Sequence, residues 1–448
     1  MGARRGACHP LSLRPVVAIV GRPNVGKSTL FNRLIGERLA IVEELPGTTR
    51  DRIYGTAEWR GRDFSVVDTG GLDEPRGEME VAVRRQAEAA MEEADVVLFV
   101  VDAQAGMIPI EHEGADHLRR SGKPVIVAAN KADSWRGEAQ AAEFYALGLG
   151  EVHAVSALQG HGSGDLLDAV VAALRPEPET EEEVGEARVA IVGRPNVGKS
   201  SFLNALVGRE RAVVAEEPGT TRDTVDETME HEGRRVRLVD TAGIRRRGRI
   251  EQGIEQYALL RTIHALERTD VAILLVDATE GITAQDTHIA GYAIEAGVGL
   301  VLGVNKWDAV ERGEETTARM KADIAREFHF APWMGHRLLS AKTGRNVVAT
   351  LEDALAIVDE RARRIPTADL HRCLIEAIAA HPPSTHRGRQ VRFRHVTQAR
   401  AATPTFVFFV DMPQEVHFTY QRYLENEVRK RVSFAGTPIR LQFRSARE

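Results

Sequence analysis

Cysteine and long apolar runs are both scarce in this sequence. The two cysteines, Cys8 and Cys373, are too few for a disulfide framework or a structural zinc site. No window approaches the roughly 18 consecutive apolar residues of a transmembrane helix. These absences predict a cytoplasmic protein with no stable membrane association. Residues 1–15 contain arginines but no apolar stretch like that of a secretory signal, which favours a disordered extension or a start codon assigned too early.

Charge is unevenly spread along the chain. The net charge is −6, but residues 361–448 hold 16 Lys and Arg against 7 Asp and Glu, a balance of +9 that leaves −15 on the rest. An acidic body with a basic tail points to an anionic partner for the tail, although arginines that only solvate that surface would give the same balance.

An internal repeat organises the sequence. GRPNVGKS occurs at Gly21–Ser28 and again, letter for letter, 172 residues later at Gly193–Ser200. Shorter matches follow in the same order in both copies: PGTTRD from Pro46 and Pro218, DTGG or DTAG from Asp68 and Asp240, NKxD from Asn130 and Asn305, and Ser-Ala at Ser156 and Ser340. The spacing is far too long for a solenoid repeat, so each copy is predicted to be a whole domain.

The repeat and the composition divide the chain into five parts. They are an extension at 1–15, a first domain at 16–175, an acidic linker at 176–187, a second domain at 188–362 and a third domain at 363–448. In both copies, apolar runs such as Val96–Val101 and Val271–Val276 alternate with helical spacing. This predicts α/β domains with mostly parallel sheets, helices on both faces, and ligands at the carboxyl ends of the strands. The third domain is predicted to be α+β, with helices at 368–380 and 420–431 and strands at 390–396, 405–410 and 439–443.

The GRPNVGKS motif predicts a phosphate-binding loop, or P-loop. The pattern GxxxxGKS after a strand lets a glycine-rich backbone wrap a phosphate with its N–H groups pointing inward. Lys27 and Lys199 would place positive charge on the β- and γ-phosphates, and Ser28 and Ser200 would place a hydroxyl on Mg²⁺. One such pattern is a weak signal, but two copies followed by the same further motifs are a strong one.

The NKxD motif selects guanine over adenine. Asp133 and Asp308 can accept hydrogen bonds from the guanine N1–H and exocyclic amine, which adenine cannot offer. A site built to pair these groups rejects a base that leaves its own polar groups unpaired. Supporting roles are predicted for Asn130 and Asn305 at the base edge, Lys131 and Lys306 along the ring, and the pairs Ser156–Ala157 and Ser340–Ala341, whose backbone N–H groups would meet the guanine O6.

Two further motifs would contact Mg²⁺ and the γ-phosphate. Asp68 and Asp240 follow a strand and would hold Mg²⁺ through water, while Gly71 and Gly243 would donate a backbone N–H to the γ-phosphate. In the PGTTRD loops the second threonine would reach Mg²⁺ when GTP is bound. The predicted catalytic set is therefore Lys27, Thr49, Gly71, Lys199, Thr221 and Gly243, and the predicted Mg²⁺ set is Ser28, Thr49, Asp68, Ser200, Thr221 and Asp240.

The predicted nucleotide site uses matching positions in both copies, for Mg²⁺-dependent hydrolysis of GTP to GDP and phosphate. In the first copy they are Gly21, Arg22, Pro23, Asn24, Val25, Gly26, Lys27, Ser28, Asp68, Thr69, Gly70, Gly71, Leu72, Asn130, Lys131, Asp133, Ser156 and Ala157. In the second copy they are Gly193, Arg194, Pro195, Asn196, Val197, Gly198, Lys199, Ser200, Asp240, Thr241, Ala242, Gly243, Ile244, Asn305, Lys306, Asp308, Ser340 and Ala341.

Two such domains in tandem with identical P-loops resemble one family. From about Val16 onward the chain is similar to the Der (EngA) family of bacterial GTPases. The resemblance implies two P-loop GTPase domains followed by a C-terminal KH-like domain, and a role in late assembly of the large ribosomal subunit. It also implies a monomer whose nucleotide state controls domain packing and binding to the ribosome and its rRNA, with no DNA partner.

The residue after DxxG departs from the Ras pattern. Ras-like enzymes place a glutamine there to orient the attacking water, whereas this chain has Leu72 and Ile244. In the families it resembles, a potassium ion near the phosphates takes the electrostatic role of an arginine finger. The resemblance implies that Asn24 and Asn196 bind this ion, although both asparagines could instead only bond the loop to itself.

The third domain lacks the usual RNA grip of KH modules. Those modules clamp the RNA backbone with a GxxG loop, and residues 363–448 contain no GxxG. A basic stripe could still track phosphates; it consists of Arg387, Arg389, Arg392 and Arg394.

Two other functions compete with ribosome assembly. The GTPase domains could gate an RNA-modification activity, as in MnmE-like proteins, but nothing outside the GTPase motifs offers a nucleophile, a metal cluster or a second cofactor site. The chain could also be a membrane-associated regulator, but it has no lipidation motif or amphipathic basic helix.

Overall fold

The structure is a computed structural model, and it describes ten segments of the chain. They are residues 15–35, 54–69, 94–174, 186–208, 226–241, 255–311, 313–383, 385–386, 389–399 and 401–445. Residues 1–14 of the extension and 176–185 of the linker lie outside these segments. So do several predicted positions: Thr49, Gly70, Gly71, Leu72, Thr221, Ala242, Gly243, Ile244 and Arg387.

The first domain is built on a six-stranded sheet. Its strands are β1 (Val16–Val20), β2 (Tyr54–Trp59), β3 (Arg62–Asp68), β4 (Val96–Asp102), β5 (Val125–Asn130) and β6 (Val152–Ala154), in the order β2-β3-β1-β4-β5-β6. All neighbours are parallel except the β2–β3 hairpin. One face is covered by α1 (Lys27–Ile35) and α4 (Ser163–Ala173), and the other by α2 (Pro109–Arg120) and α3 (Trp135–Ala141).

The second domain repeats this topology strand for strand. Its strands are β7 (Ala187–Val192), β8 (Glu227–His231), β9 (Arg234–Val239), β10 (Val271–Asp277), β11 (Gly299–Asn305) and β12 (Gly335–Leu338), in the order β8-β9-β7-β10-β11-β12. Helices α5 (Lys199–Val207) and α9 (Val347–Arg361) cover one face, and α6 (Glu255–Glu267), α7 (Ala284–Ala296) and α8 (Glu314–Glu327) the other. Every residue of β4 and β10 is buried, because both are central strands covered on two faces.

The third domain is the predicted small α+β unit. It contains α10 (Thr367–Ala380), β13 (Thr385–His386), β14 (Arg389–Gln390), β15 (Phe393–Gln398), β16 (Thr405–Val410), α11 (Phe418–Arg431) and β17 (Arg440–Ser445). The strand predicted at 390–396 is displaced, because β14 pairs with β13 and a register shift interrupts the ladder between Phe393 and His395. None of the helices described here combines the length and apolarity that a membrane span needs.

The domains contact one another through specific bonds. The third domain packs on the second, since the Gly436 carbonyl accepts from the Leu300 N–H at 2.7 Å and the Gly436 N–H donates to the Trp333 carbonyl at 2.9 Å. The first domain meets α6 of the second, where the Ser65 hydroxyl donates to the Glu267 carboxylate at 2.6 Å.

Candidate guanine nucleotide sites

Each P-loop is pressed against the ends of the central strands. A Cβ added to Gly21, whose φ is +152°, would lie 2.3 Å from the Val100 carbonyl oxygen at the end of β4. A Cβ added to Gly26, at φ +93°, would lie 2.4 Å from Nδ2 of Asn130, the last residue of β5. Glycine is therefore required at both positions, because the backbone approaches its neighbours too closely for a side chain.

The P-loop lysines turn back onto their own loops. Lys27 is buried, and its Nζ donates to the carbonyls of Gly21 at 2.6 Å and Arg22 at 3.0 Å. Lys199 makes the same two bonds in the second domain, both at 2.6 Å. The ammonium group thus lies at the loop that begins α1 or α5, where the helix N-terminus also favours an anion.

In the first domain, two of the predicted Mg²⁺ ligands lie next to each other. The Ser28 hydroxyl donates to Asp68 Oδ2 at 2.6 Å, and Asp68 is buried at the end of β3. Two adjacent oxygen donors suit Mg²⁺, which binds to carboxylates, hydroxyls and water. The residues present therefore fit the ion that the motif predicts.

The corresponding aspartate of the second domain has a left-handed backbone conformation. Asp240 has a φ of +57°, its N–H donates to Asp226 Oδ1 at 3.1 Å, and its Oδ2 lies 3.7 Å from Arg261 Nε on α6. Asp68, by contrast, is the last residue of β3, so the two motif aspartates differ in backbone conformation.

Asn130 bridges the P-loop and the Ser-Ala loop. Its Nδ2 donates to the Val25 carbonyl at 2.8 Å, and its Oδ1 accepts from the Ala157 N–H at 3.0 Å. Asn305 makes both equivalent bonds at 2.8 Å. Both asparagines are buried, so each ties the phosphate side of its site to the base side. A direct contact of either residue with the base stays a prediction.

The Asp133 carboxylate is presented at the surface next to the Ser-Ala loop. Its Oδ1 accepts from the Ser156 hydroxyl at 2.5 Å, and its Oδ2 is 3.4 Å from Gln104 Nε2. The side chain is exposed, so the carboxylate can also accept from a ligand. This arrangement suits recognition of the N–H groups of guanine.

The motif lysine is held by an aspartate that sequence reasoning did not assign to the site. Lys131 Nζ donates to Asp102 Oδ2 at 2.6 Å and to the Asn24 carbonyl at 2.7 Å. Burial would raise the pKa of Asp102, but the bonds from Lys131 and from two backbone N–H groups outweigh it and lower the pKa. Lys306 and Asp277 repeat the pair at 2.5 Å. The sequence does carry a signal for these two aspartates, because an acidic residue ends an apolar strand in both copies.

The P-loop arginines contact buried acids in the first turns of α2 and α7. Arg22 Nε donates to Glu111 Oε1 at 3.2 Å, and burial raises the pKa of Glu111 although Arg22 and a backbone N–H oppose this. Arg194 Nε lies 3.5 Å from Asp286 Oδ2, and the guanidinium also pairs with Glu280. Glu111 and Asp286 are the third residues of α2 and α7, positions that the sequence reasoning also left out.

The two predicted potassium ligands adopt the same unusual conformation. Asn24 and Asn196 have φ values of +67° and +66°, in the left-handed region. In the described part of the chain neither side-chain amide has a hydrogen-bond partner, so the alternative in which they bond the loop to itself finds no contact there. Potassium binding stays a prediction.

Other predicted residues lie near these loops or on the third domain. The buried Thr69 hydroxyl donates to the Ile19 carbonyl at 2.7 Å, so it links β3 to β1. Arg392 and Arg394, of the predicted basic stripe, are exposed beside and on edge strand β15.

Comparisons with known families match all three domains of the chain. The family described as 50S ribosome-binding GTPase matches residues 16–131 and again 188–306. The family described as the C-terminal KH-domain-like region of EngA bacterial GTPase enzymes matches residues 364–444.

Curated relatives match over nearly the whole chain. GTPase Der of Thermomicrobium roseum is 54% identical, with 96% of each chain covered. GTPase Der of Herpetosiphon aurantiacus is 51% identical, with 97% of each covered. Among solved structures, the FeoB G domain of Methanococcus jannaschii is 26% identical, covering 36% of this chain and 97% of that one, with a TM-score of 0.28. The two GTPase domains and the third domain match these families, and the GTPase Der relatives are 54% and 51% identical over nearly the whole chain. The chain therefore belongs to the Der (EngA) family of bacterial GTPases.

Proposed function

We propose that this GTPase acts in late assembly of the large ribosomal subunit, and that its nucleotide state controls its domain packing and its binding to the ribosome and rRNA. The description of the family that matches both GTPase domains, a 50S ribosome-binding GTPase, supports this. The observation that carries it is the pair of equivalent nucleotide loops, each tied together by a buried asparagine. The alternative, a GTPase that gates an RNA-modification activity, has no support from the relatives.

We infer the residue roles from the motifs and, where the residues are described, from their contacts. In domains bounded as predicted, each P-loop would bind the phosphates and each NKxD loop the guanine. Ser28, Thr49 and Asp68 would hold Mg²⁺ in the first domain, with Ser200, Thr221 and Asp240 in the second. Bound Mg²⁺ would neutralise charge that develops on the phosphate oxygens. Lys27 or Lys199, already at the loop, would leave its carbonyl partners for the β- and γ-phosphates.

Ribosome binding is expected to depend on the nucleotide. With a non-hydrolysable GTP analogue, the purified monomeric protein should cosediment with large ribosomal subunits, and less of it should do so with GDP. Purified small subunits serve as the control for charge-driven binding to RNA. Absence of nucleotide-dependent binding at low salt would contradict the proposed function while leaving GTP hydrolysis intact.

Hydrolysis is expected to be at least about tenfold faster in KCl than in NaCl, which corresponds to roughly 1.4 kcal/mol of transition-state stabilisation. The reason is a potassium ion held by Asn24 or Asn196. Steady-state rates in the two salts measure the effect. Asn24→Gly with Asn196→Gly should abolish the difference, because glycine keeps the left-handed backbone but lacks the amide. Equal rates for the unaltered chain would remove potassium from the proposal.

A further inference from the structure

Helix α7 begins at the second nucleotide site. Asp286, fully buried in its first turn, accepts at Oδ2 from the Thr283 N–H and hydroxyl, both at 2.9 Å. The same oxygen lies 3.5 Å from Arg194 Nε, while Asp286 Oδ1 has no hydrogen-bond partner in the described segments. The Arg194 carbonyl in turn accepts from Lys199 Nζ at 2.6 Å. A short chain of contacts therefore joins the start of α7 to the P-loop lysine.

The other end of α7 carries the KH-like domain. The Glu295 carbonyl accepts from Arg440 Nη2 at 2.6 Å, and the Gly297 carbonyl accepts from the Thr403 hydroxyl at 2.9 Å. Gly297 has a φ of +76°, and a Cβ there would lie 2.2 Å from the Thr403 hydroxyl. The third domain thus bonds to carbonyls at the end of α7 and fits this end closely, although the Gly297 carbonyl also accepts from Arg361 Nη1 of the second domain at 2.8 Å.

The helix between these ends is rigid and packed. Its 13 residues span about 20 Å, and its core side includes Ile289, Ala290 and Ala293, which are buried against the second domain's sheet. Packed elements of this kind move as units rather than bending continuously. A displacement of the end of α7 that contacts the P-loop must therefore also shift the end that contacts the KH-like domain.

The first domain has the same beginning but a different end. Arg22 pairs with Glu111 in the first turn of α2, as Arg194 does with Asp286. At the end of α2, however, the Leu118 carbonyl accepts from the Ser121 hydroxyl of its own domain at 2.6 Å. The chain therefore contains an internal control for any effect that runs through α7.

We propose that Arg194 and Asp286 are positioning residues through which α7 couples the second P-loop to the docking of the KH-like domain. Docking holds α7, and α7 holds Arg194 and the loop in the conformation that receives phosphate. The affinity of the second site for nucleotide thus depends on docking, and the affinity of the first site does not. By linkage, nucleotide in the second site strengthens docking by the same factor.

The test weakens docking of the KH-like domain and measures nucleotide affinity at both sites of the full-length chain. Thr403→Val with Arg440→Met removes the two bonds from the KH-like domain to the end of α7 and leaves the bond from Arg361 of the second domain in place. Hydrogen exchange of the peptides 16–31 and 188–203 at increasing GDP concentrations gives a separate Kd for each site. The second-site Kd should rise by about fivefold or more, because fivefold is the lower end of the effects that allosteric coupling energies produce. The first-site Kd should not change. An unchanged second-site Kd, or equal changes at both sites, would overturn the proposal.

A double-mutant cycle separates coupling from a merely structural role. Asp286→Asn should itself raise the second-site Kd, and adding the docking substitutions to it should then raise that Kd little further, because the link is already broken. The matched variant Glu111→Gln should affect the first site only and leave the docking effect on the second site intact. Full additivity of Asp286→Asn with the docking substitutions would contradict the proposal.

Discussion

Replacing Asn305 with alanine is expected to weaken GDP binding at the second site by about 100-fold or more, while the first site keeps its affinity. The change removes two buried hydrogen bonds and leaves the Val197 carbonyl and the Ala341 N–H unpaired. Each stranded buried group costs about 1–3 kcal/mol, and a 100-fold loss corresponds to roughly 2.7 kcal/mol. The two loops of the site would also lose the side chain that ties them together.

The measurement is titration with a fluorescent GDP analogue, combined with circular dichroism to show that the variant is folded. Asn130→Ala is the reciprocal variant, and it should weaken the first site only. Gly198→Ala should act like Asn305→Ala, because its Cβ would lie 2.3 Å from Asn305 Nδ2 at a φ of +97°. A folded Asn305→Ala chain that keeps the affinity of the unaltered second site would show that the bridge is unimportant.

Asp133→Asn and Asp308→Asn are expected to change the base that each site accepts. The carboxylate can take both guanine N–H donors, whereas the amide offers one acceptor and one donor group and instead matches the carbonyl of xanthine. We expect GDP affinity at the altered site to fall by about 1,000-fold, in keeping with sites that reject ligands leaving polar groups unpaired. Affinity for xanthosine diphosphate should rise, as competition titrations with the two nucleotides would show.

The control for this change is another carboxylate of the same domain. Asp168 on α4 accepts from Trp59 Nε1 at 2.6 Å, away from the NKxD loop, so Asp168→Asn should leave the choice of base unaltered. At position 133 the asparagine Oδ1 can still accept from the Ser156 hydroxyl, so the loop should keep its shape. Unchanged preference for GDP in Asp133→Asn would contradict the assigned role.

The sequence could predict the fold because its signals are local or repeated. Apolar runs such as Val96–Val101 identified central strands, and the duplication predicted two domains of one kind, whose shared topology the structure confirms. The displaced strand in the third domain was missed because a register shift at Phe393 depends on pairing with a partner strand. Pattern alone does not carry that information.

The supporting contacts of the site were harder to predict than its motifs. GRPNVGKS and NKxD can be recognised from the spacing of their residues in the sequence. By contrast, Asn130 bonds to Val25 across 105 residues, and Arg22 pairs with Glu111 across 89 residues. Such contacts depend on how the loops converge at one edge of the sheet. The motifs are also the same in the two copies, whereas the structure shows that Asp68 ends strand β3 and Asp240 has a φ of +57°.

The central claim is that one chain holds two separate guanine nucleotide sites, and the number of GDP molecules bound at saturation tests it most directly. Equilibrium dialysis with labelled GDP should give two per unaltered chain. At a concentration that saturates the unaltered sites alone, it should give one for Asp133→Asn, one for Asp308→Asn and none for the double variant. A single GDP on the unaltered chain, or two on either single variant, would contradict the account.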